Sequence, residues 1–163
     1  MTEVGRLWYI VFANRNHSWL GRVISMNEYK HHILKELRAQ GVKLTSQRLE
    51  VIELLTCDRS HPSALTIFNK ARVKCPNISL STVYYTLALL KKLGLIRELE
   101  FEGMDNRYDR DTASHLNLIC TGCGKIEDFA DGVPVAPDVI ERHTGFAAHN
   151  MRLEYYGLCS QCR

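Results

Sequence analysis

ISLSTVYYTLALLKKLGLIRELEFEGMDNRYD, residues 78–109, carries two periodicities back to back. Val83, Leu87 and Leu90 recur at helical spacing behind a capping residue, Ser81, and Gly94 stops the run. That spacing predicts a helix over 82–93. Past Gly94 the pattern changes to Leu95, Arg97, Leu99 and Phe101, followed by the turn-rich EGMDN and then Arg107-Tyr108-Asp109, which reads as a β-hairpin. Compact helices running straight into a hairpin describe a winged helix-turn-helix.

Upstream, capping residues open three more helices: Asn27 before one ending near Gln40, Thr45 before one ending near Thr56, and Ser63 before one ending near Val73. The second carries Leu49, Ile52 and Leu55 as its apolar stripe. Residues 1–25 have no useful periodicity and are read as an extension without a folded role, the alternative being a loose arm that contacts DNA through Arg6, Arg15 and Arg22; this leaves 26–108 as the winged-helix DNA-binding domain. Downstream, 115–119, 125–129 and 146–156 read as strands, with a short helix over 139–143. Residues 109–163 are therefore expected to form a small α/β dimerisation and metal-binding domain, and the chain as a whole is α+β. A three-stranded sheet of this size has a poor core, so a metal clip and self-association are its expected supports.

With 163 residues, 45% apolar and 24% charged, the chain is neither a membrane protein, nor collagen-like, nor disordered. The apolar run over 7–13 is far short of the roughly 20 residues a membrane span needs, so a cytoplasmic protein with no membrane partner is expected. Residues 27–108 hold 13 Lys/Arg against 9 Asp/Glu, whereas 109–163 hold 5 against 8. A basic front half is compatible with an anionic partner and equally with a solvated surface.

In a winged helix-turn-helix the last helix before the wing enters the major groove of double-stranded DNA. Opposite its apolar stripe lie Ser81, Thr82, Tyr84, Tyr85 and Lys92, with Lys91 nearby. Hydroxyls and rings can meet thymine methyls and phosphates, and the lysines suit backbone contacts. Arg48 and Arg107 are candidate phosphate ligands. Tyr84 and Tyr85 could instead pack between helices, and either arginine could simply be solvated.

Four of the six cysteines form two identical pairs, Cys120-x-x-Cys123 and Cys159-x-x-Cys162, with 35 cysteine-free residues between them. Each pair sets two sulfurs on one tight turn, and two pairs complete the tetrahedral four-thiolate shell that zinc favours. Such a shell has no open position for water or substrate, so the zinc is expected to be structural and the protein not an enzyme. Cys57 and Cys75, near helix ends, are assigned no function.

Taken in order, GVKLTSQR, HPSALTIF, ISLSTVYYTLALLKKLGLI, RYD, HLNLICTGCGKIEDF and LEYYGLCSQC resemble the ferric uptake regulator family of metal-dependent repressors, and among them the peroxide-responsive branch. The resemblance covers 27–163. It implies a homodimer that binds operator DNA, structural Zn²⁺ on the four cysteines, and a regulatory Fe²⁺ or Mn²⁺ between the domains. It carries the regulatory ligands onto His61, Asp109, His115, Asn117 and Asp128. Four of these match the peroxide-sensing pattern; Asn117 stands where that pattern has a histidine. Asp128, rather than the glutamate common in iron-uptake regulators, favours the peroxide-sensing branch, in which no small molecule other than peroxide is a substrate. An iron-, manganese- or zinc-uptake regulator is the alternative within the family. A thiol switch with a vestigial regulatory site is the alternative that Asn117 raises.

Overall fold

A computed structural model describes residues 25–113, 115–129, 137–148 and 151–163. They fall into two units, Met1–Thr112 and Ala113–Arg163, the first described from Ser25 onward. The rest of the expected N-terminal extension lies outside the described residues.

The first unit contains helices α1 (Met26–Ala39), α2 (Ser46–Cys57), α3 (Ala64–Lys74) and α4 (Leu80–Lys92), then strands β1 (Arg97–Leu99) and β2 (Arg107–Asp109). Thr45 and Ser63 cap α2 and α3 as expected, each hydroxyl accepting from a backbone N–H three residues on. Two caps differ from the sequence reading. The α1 cap is Ser25 and not Asn27: Ser25 and Glu28 form a reciprocal capping box, which assigns Ser25 to the fold and not to the extension. The α4 cap is Ser79 and not Ser81; its hydroxyl accepts from the Thr82 N–H at 3.2 Å. Ile78 and Val83, the residues on either side of that first turn, are both buried in the core, and this sets the entry of the chain. At the other end Gly94 adopts φ +67°, which lets its N–H reach the Lys91 carbonyl and the Leu95 N–H reach Leu90.

Tyr29, Ile33 and Leu37 from α1, Val51, Ile52 and Leu55 from α2, Ile67 from α3, and Val83, Leu87 and Leu90 from α4 form one apolar cluster, which Leu95, Ile96 and Tyr108 close from the wing side. The stripe of α2 is displaced from its expected position: Val51 is fully buried, and Leu49 is only half-buried. The Tyr29 hydroxyl, kept protonated by burial, donates to the Leu95 carbonyl at 2.6 Å. β1 and β2 pair antiparallel from Arg97↔Asp109 to Leu99↔Arg107. The unit runs past the expected boundary at 108 because Asp109 still belongs to that ladder and the Arg110 guanidinium donates to the Thr56 carbonyl.

In the second unit β3 (Leu116–Cys120) lies between β4 (Ile126–Phe129), antiparallel to it, and β5 (Glu154–Gly157), parallel to it. Helix α5 (Pro137–Thr144) lies in the long connection that parallel pairing requires. β5 is much shorter than the expected 146–156, because it pairs only where it runs beside Asn117–Cys120. Alternation along β3 buries Asn117 and Ile119 and leaves Leu116 and Leu118 half-buried. Among the described residues of this unit the buried apolar side chains are Ala113, Ile119, Cys120 and Ile126.

Candidate DNA-binding face and metal centres

Helix α4 presents Ser81, Tyr84, Tyr85 and Lys92 to solvent. Tyr84 is 49% and Tyr85 62% exposed, which removes the reading in which they pack between helices. The Arg48 guanidinium stacks 5.4 Å from the centre of the Tyr85 ring and donates to the Lys43 carbonyl, so α2 and α4 contribute to one cationic, aromatic patch. The Ser81 and Thr82 hydroxyls stand 2.9 Å from the Ser79 hydroxyl and are partly occupied in the cap. Lys91 is engaged by Glu98 at 2.5 Å and Glu100 at 3.3 Å, which raises its pKa through those hydrogen bonds. Among the described residues Lys92 therefore carries the open charge at this end of α4. Arg107 lies half-buried in β2, with its backbone bridged to Ser63. Sequence reasoning missed Glu98, which also accepts from Asn106 at 2.8 Å and from the Tyr108 hydroxyl at 3.1 Å and so stiffens the wing.

Cys120, Cys123, Cys159 and Cys162 converge in the second unit, their sulfurs all within 4.8 Å of one another. Cys123 Sγ and Cys159 Sγ are 3.8 Å apart, the separation that two sulfurs about 2.3 Å from one tetrahedral ion must have and nearly twice that of a disulfide. The Cys159 N–H donates to Cys120 Sγ at 3.3 Å, and with the backbone around Cys123 it holds the Cys120 thiol down to about 6, on the thiolate side that ligation requires. Cys162 is pushed up by its hydrogen bonds to the other sulfurs, Cys123 foremost. The donor set fits zinc. Gly122 is part of this fit: a Cβ there would sit 3.1 Å from the Cys162 Cβ and 3.2 Å from its sulfur. No spacing rule flags that glycine, because the close approach comes from the far end of the chain.

The remaining candidates divide between the units. In the first, a turn in which Ser60 N–H donates to Asp58 Oδ1 at 2.8 Å leads into His61, whose φ of +54° is rare for a residue with a Cβ. This backbone is held from both sides: Tyr108 N–H donates to the Pro62 carbonyl at 3.1 Å, and Ser63 bridges to Arg107. The result sets His61 Nε2 3.6 Å from Asp109 Oδ1, with both residues buried. That spacing is too long for a hydrogen bond and suits two donors each about 2.1 Å from one ion.

In the second unit His115 Nδ1 meets the Ala113 carbonyl at 3.0 Å, which places the proton there and the lone pair on Nε2. Nε2 is 3.6 Å from Asp128 Oδ1. Asn117 lies directly across the β3–β4 ladder from Asp128 and is 4% exposed. Its side-chain oxygen is buried and accepts no hydrogen bond among the described residues. Each histidine is thus paired with a carboxylate of its own unit, and Asn117 sits beside the second pair.

Residues 39–156 match the model of the ferric uptake regulator family. The peroxide operon regulator of Bacillus subtilis is 38% identical over 136 residues, spanning 80% of this chain and 94% of that protein. Among solved structures, the Helicobacter pylori ferric uptake regulator, described as having three functional metal-binding sites, is similar with TM-score 0.64 and 27% identity over 86% of this chain and 95% of that one. A zinc uptake regulator complexed with zinc and DNA is similar with TM-score 0.58 and 27% identity over 85% and 95%. A family match across most of the sequence, joined to a relative aligned almost end to end, means that the chain belongs to the ferric uptake regulator family.

Proposed function

We propose that this chain is a dimeric, metal-dependent repressor that binds double-stranded operator DNA through its first unit, up to Thr112, dimerises through Ala113–Arg163 and senses peroxide at a regulatory ion. The observation that carries the reading is the pair of matched half-sites, His61 with Asp109 and His115 with Asp128, each buried at its histidine and each spaced for a shared ion. The name of the Bacillus subtilis relative supports the peroxide branch, and the DNA-bound zinc uptake regulator supports the DNA partner. Exposed Phe129, Tyr155 and Tyr156 on the small sheet give a second copy apolar surface to cover.

Zn²⁺ is the structural ion, held by Cys120, Cys123, Cys159 and Cys162. His61, Asp109, His115, Asn117 and Asp128 would hold the regulatory ion, Fe²⁺ or Mn²⁺. The first two lie in one unit and the other three in the next, so one ion taken up by both sets would couple metal binding to DNA binding by linkage. Bound Fe²⁺ supplies electrons for peroxide reduction beside the ligand imidazoles. On the DNA side, Tyr84 and Tyr85 read bases, while Ser81, Thr82, Arg48, Lys92 and Arg107 contact the backbone.

The test is operator binding by zinc-loaded dimer titrated with Fe²⁺, Mn²⁺ and Zn²⁺, each with and without peroxide. Fe²⁺ and Mn²⁺ should restore binding. Peroxide should abolish it only with Fe²⁺ and add one oxygen to a peptide containing His61 or His115. Full operator binding without a second ion, with peroxide modifying cysteines alone, would replace this reading with a thiol switch.

A further inference from the structure

We infer that Asn117 is the selectivity residue of the regulatory centre, turning it toward hard divalent cations such as Mn²⁺ and away from Zn²⁺; the inference rests on the regulatory-ion reading above. Asn117 is almost completely buried, and its side-chain oxygen is sealed from solvent with no hydrogen-bond donor among the described residues. An amide oxygen left in that state bears its full desolvation cost, so it needs a partner that the surrounding groups also favour. Those groups are a carboxylate, Asp128, directly across the ladder, and the imidazole of His115, two residues earlier, whose Nε2 is 3.6 Å from Asp128 Oδ1. Together they form a set of donors and call for a cation.

The kind of cation follows from the donors. Within the second unit His115, Asp128 and Asn117 offer one nitrogen and two oxygens. An imidazole at position 117 would reverse that majority. Imidazole nitrogen strongly favours zinc and the later transition metals, whereas carbonyl and carboxylate oxygens suit manganese and other hard ions. Asparagine and neutral histidine carry the same charge. Position 117 therefore changes donor softness without changing the electrostatics. The same chain then sorts two ions by chemistry alone, with zinc going to four thiolates and the harder ion to an oxygen-rich set.

The experiment uses full-length dimer carrying one zinc per chain on the cysteines, as wild type, Asn117→His, Asn117→Leu and His61→Ala. Mn²⁺ uptake is read from loss of the free-ion EPR signal, and Zn²⁺ affinity by competition with a chromophoric chelator, with no DNA present. Asn117→His should tighten Zn²⁺ at least tenfold more than Mn²⁺. Asn117→Leu should weaken Mn²⁺ at least tenfold while circular dichroism stays unchanged. An unaltered Mn²⁺-to-Zn²⁺ ratio in Asn117→His, or wild-type Mn²⁺ affinity in Asn117→Leu, would overturn the assignment. His61→Ala separates the two readings: if it binds Mn²⁺ as wild type does, the ion is not shared with the first unit, yet the ratio test of Asn117 still stands. A wild-type protein that takes up no second ion overturns both.

Discussion

The two units of this chain are stable for different reasons. The first closes four helices and a hairpin over an apolar cluster running from Tyr29 to Tyr108. The second, among its described residues, buries Ala113, Ile119, Cys120 and Ile126 and little else that is apolar, while Phe146, Tyr155, Tyr156 and Leu158 remain exposed. A sheet of three short strands cannot offset the entropy of ordering its chain with so little burial. Four sulfurs, drawn from the end of β3, the turn after it and residues 159–162, supply the missing crosslink. One unit can thus be expected to fold by dewetting and the other by ligation.

The largest effect should come from breaking the ligation. Cys120→Ser or Cys159→Ser, or stripping the zinc with a chelator, removes binding energy on the order of 10 kcal/mol that is part of the second unit's folding. Hydrogen exchange should show β3 and β4 losing protection while α2 and α4 keep theirs. Joint collapse of both units, or a zinc-free second unit that stays protected, would break the comparison. Next in size, Leu87→Ala should destabilise the first unit by about 2–5 kcal/mol in urea unfolding, since its side chain is fully buried, and zinc content should not change.

At about 1 kcal/mol, His61→Gly should be more stable than His61→Ala, because only glycine adopts φ +54° without strain. Both variants should lose the second ion equally, which separates backbone conformation from ligation. The smallest effect concerns the α1–α2 ion pair. Lys30 holds the Glu53 carboxyl below its ordinary range through their hydrogen bond. The stability this contributes is present above the unfolded-state pKa and is lost as pH falls through the lower folded value. Glu53→Gln should therefore cost at most about 0.5 kcal/mol at pH 7, given solvent screening, and nothing near pH 2. Its zinc site should respond to acid like that of wild type.

Much of this could be read along the chain because the decisive signals are local. The switch of period at Gly94 and the two CxxC pairs need no knowledge of distant residues. The caps were harder to place because serine and asparagine recur within two residues of each other: Ser79 competes with Ser81, and Ser25 with Asn27. Ser25 could have been found from its Glu28 partner, three residues on. The length of β5 was hidden because a parallel partner far back in sequence sets it. Asn117 was legible as a candidate ligand only through the family resemblance, and only burial reveals that its oxygen lacks a donor among the described residues. His61 is the reverse case: its residue type was informative, whereas its left-handed backbone follows from bridges to Arg107 and Tyr108, more than forty residues away.

Those bridges also bear on solubility. A hairpin of two short strands leaves an open edge on each side, and an open edge invites another chain to add a strand. On the β2 side that edge is occupied by 62–63, with the Pro62 carbonyl taking the Tyr108 N–H. Pro62 itself has no N–H to offer onward, so the ladder stops at a residue that cannot donate to the next strand. The loop that carries His61 thereby also guards the wing against aggregation, and changes made there to study metal binding should be checked for self-association as well.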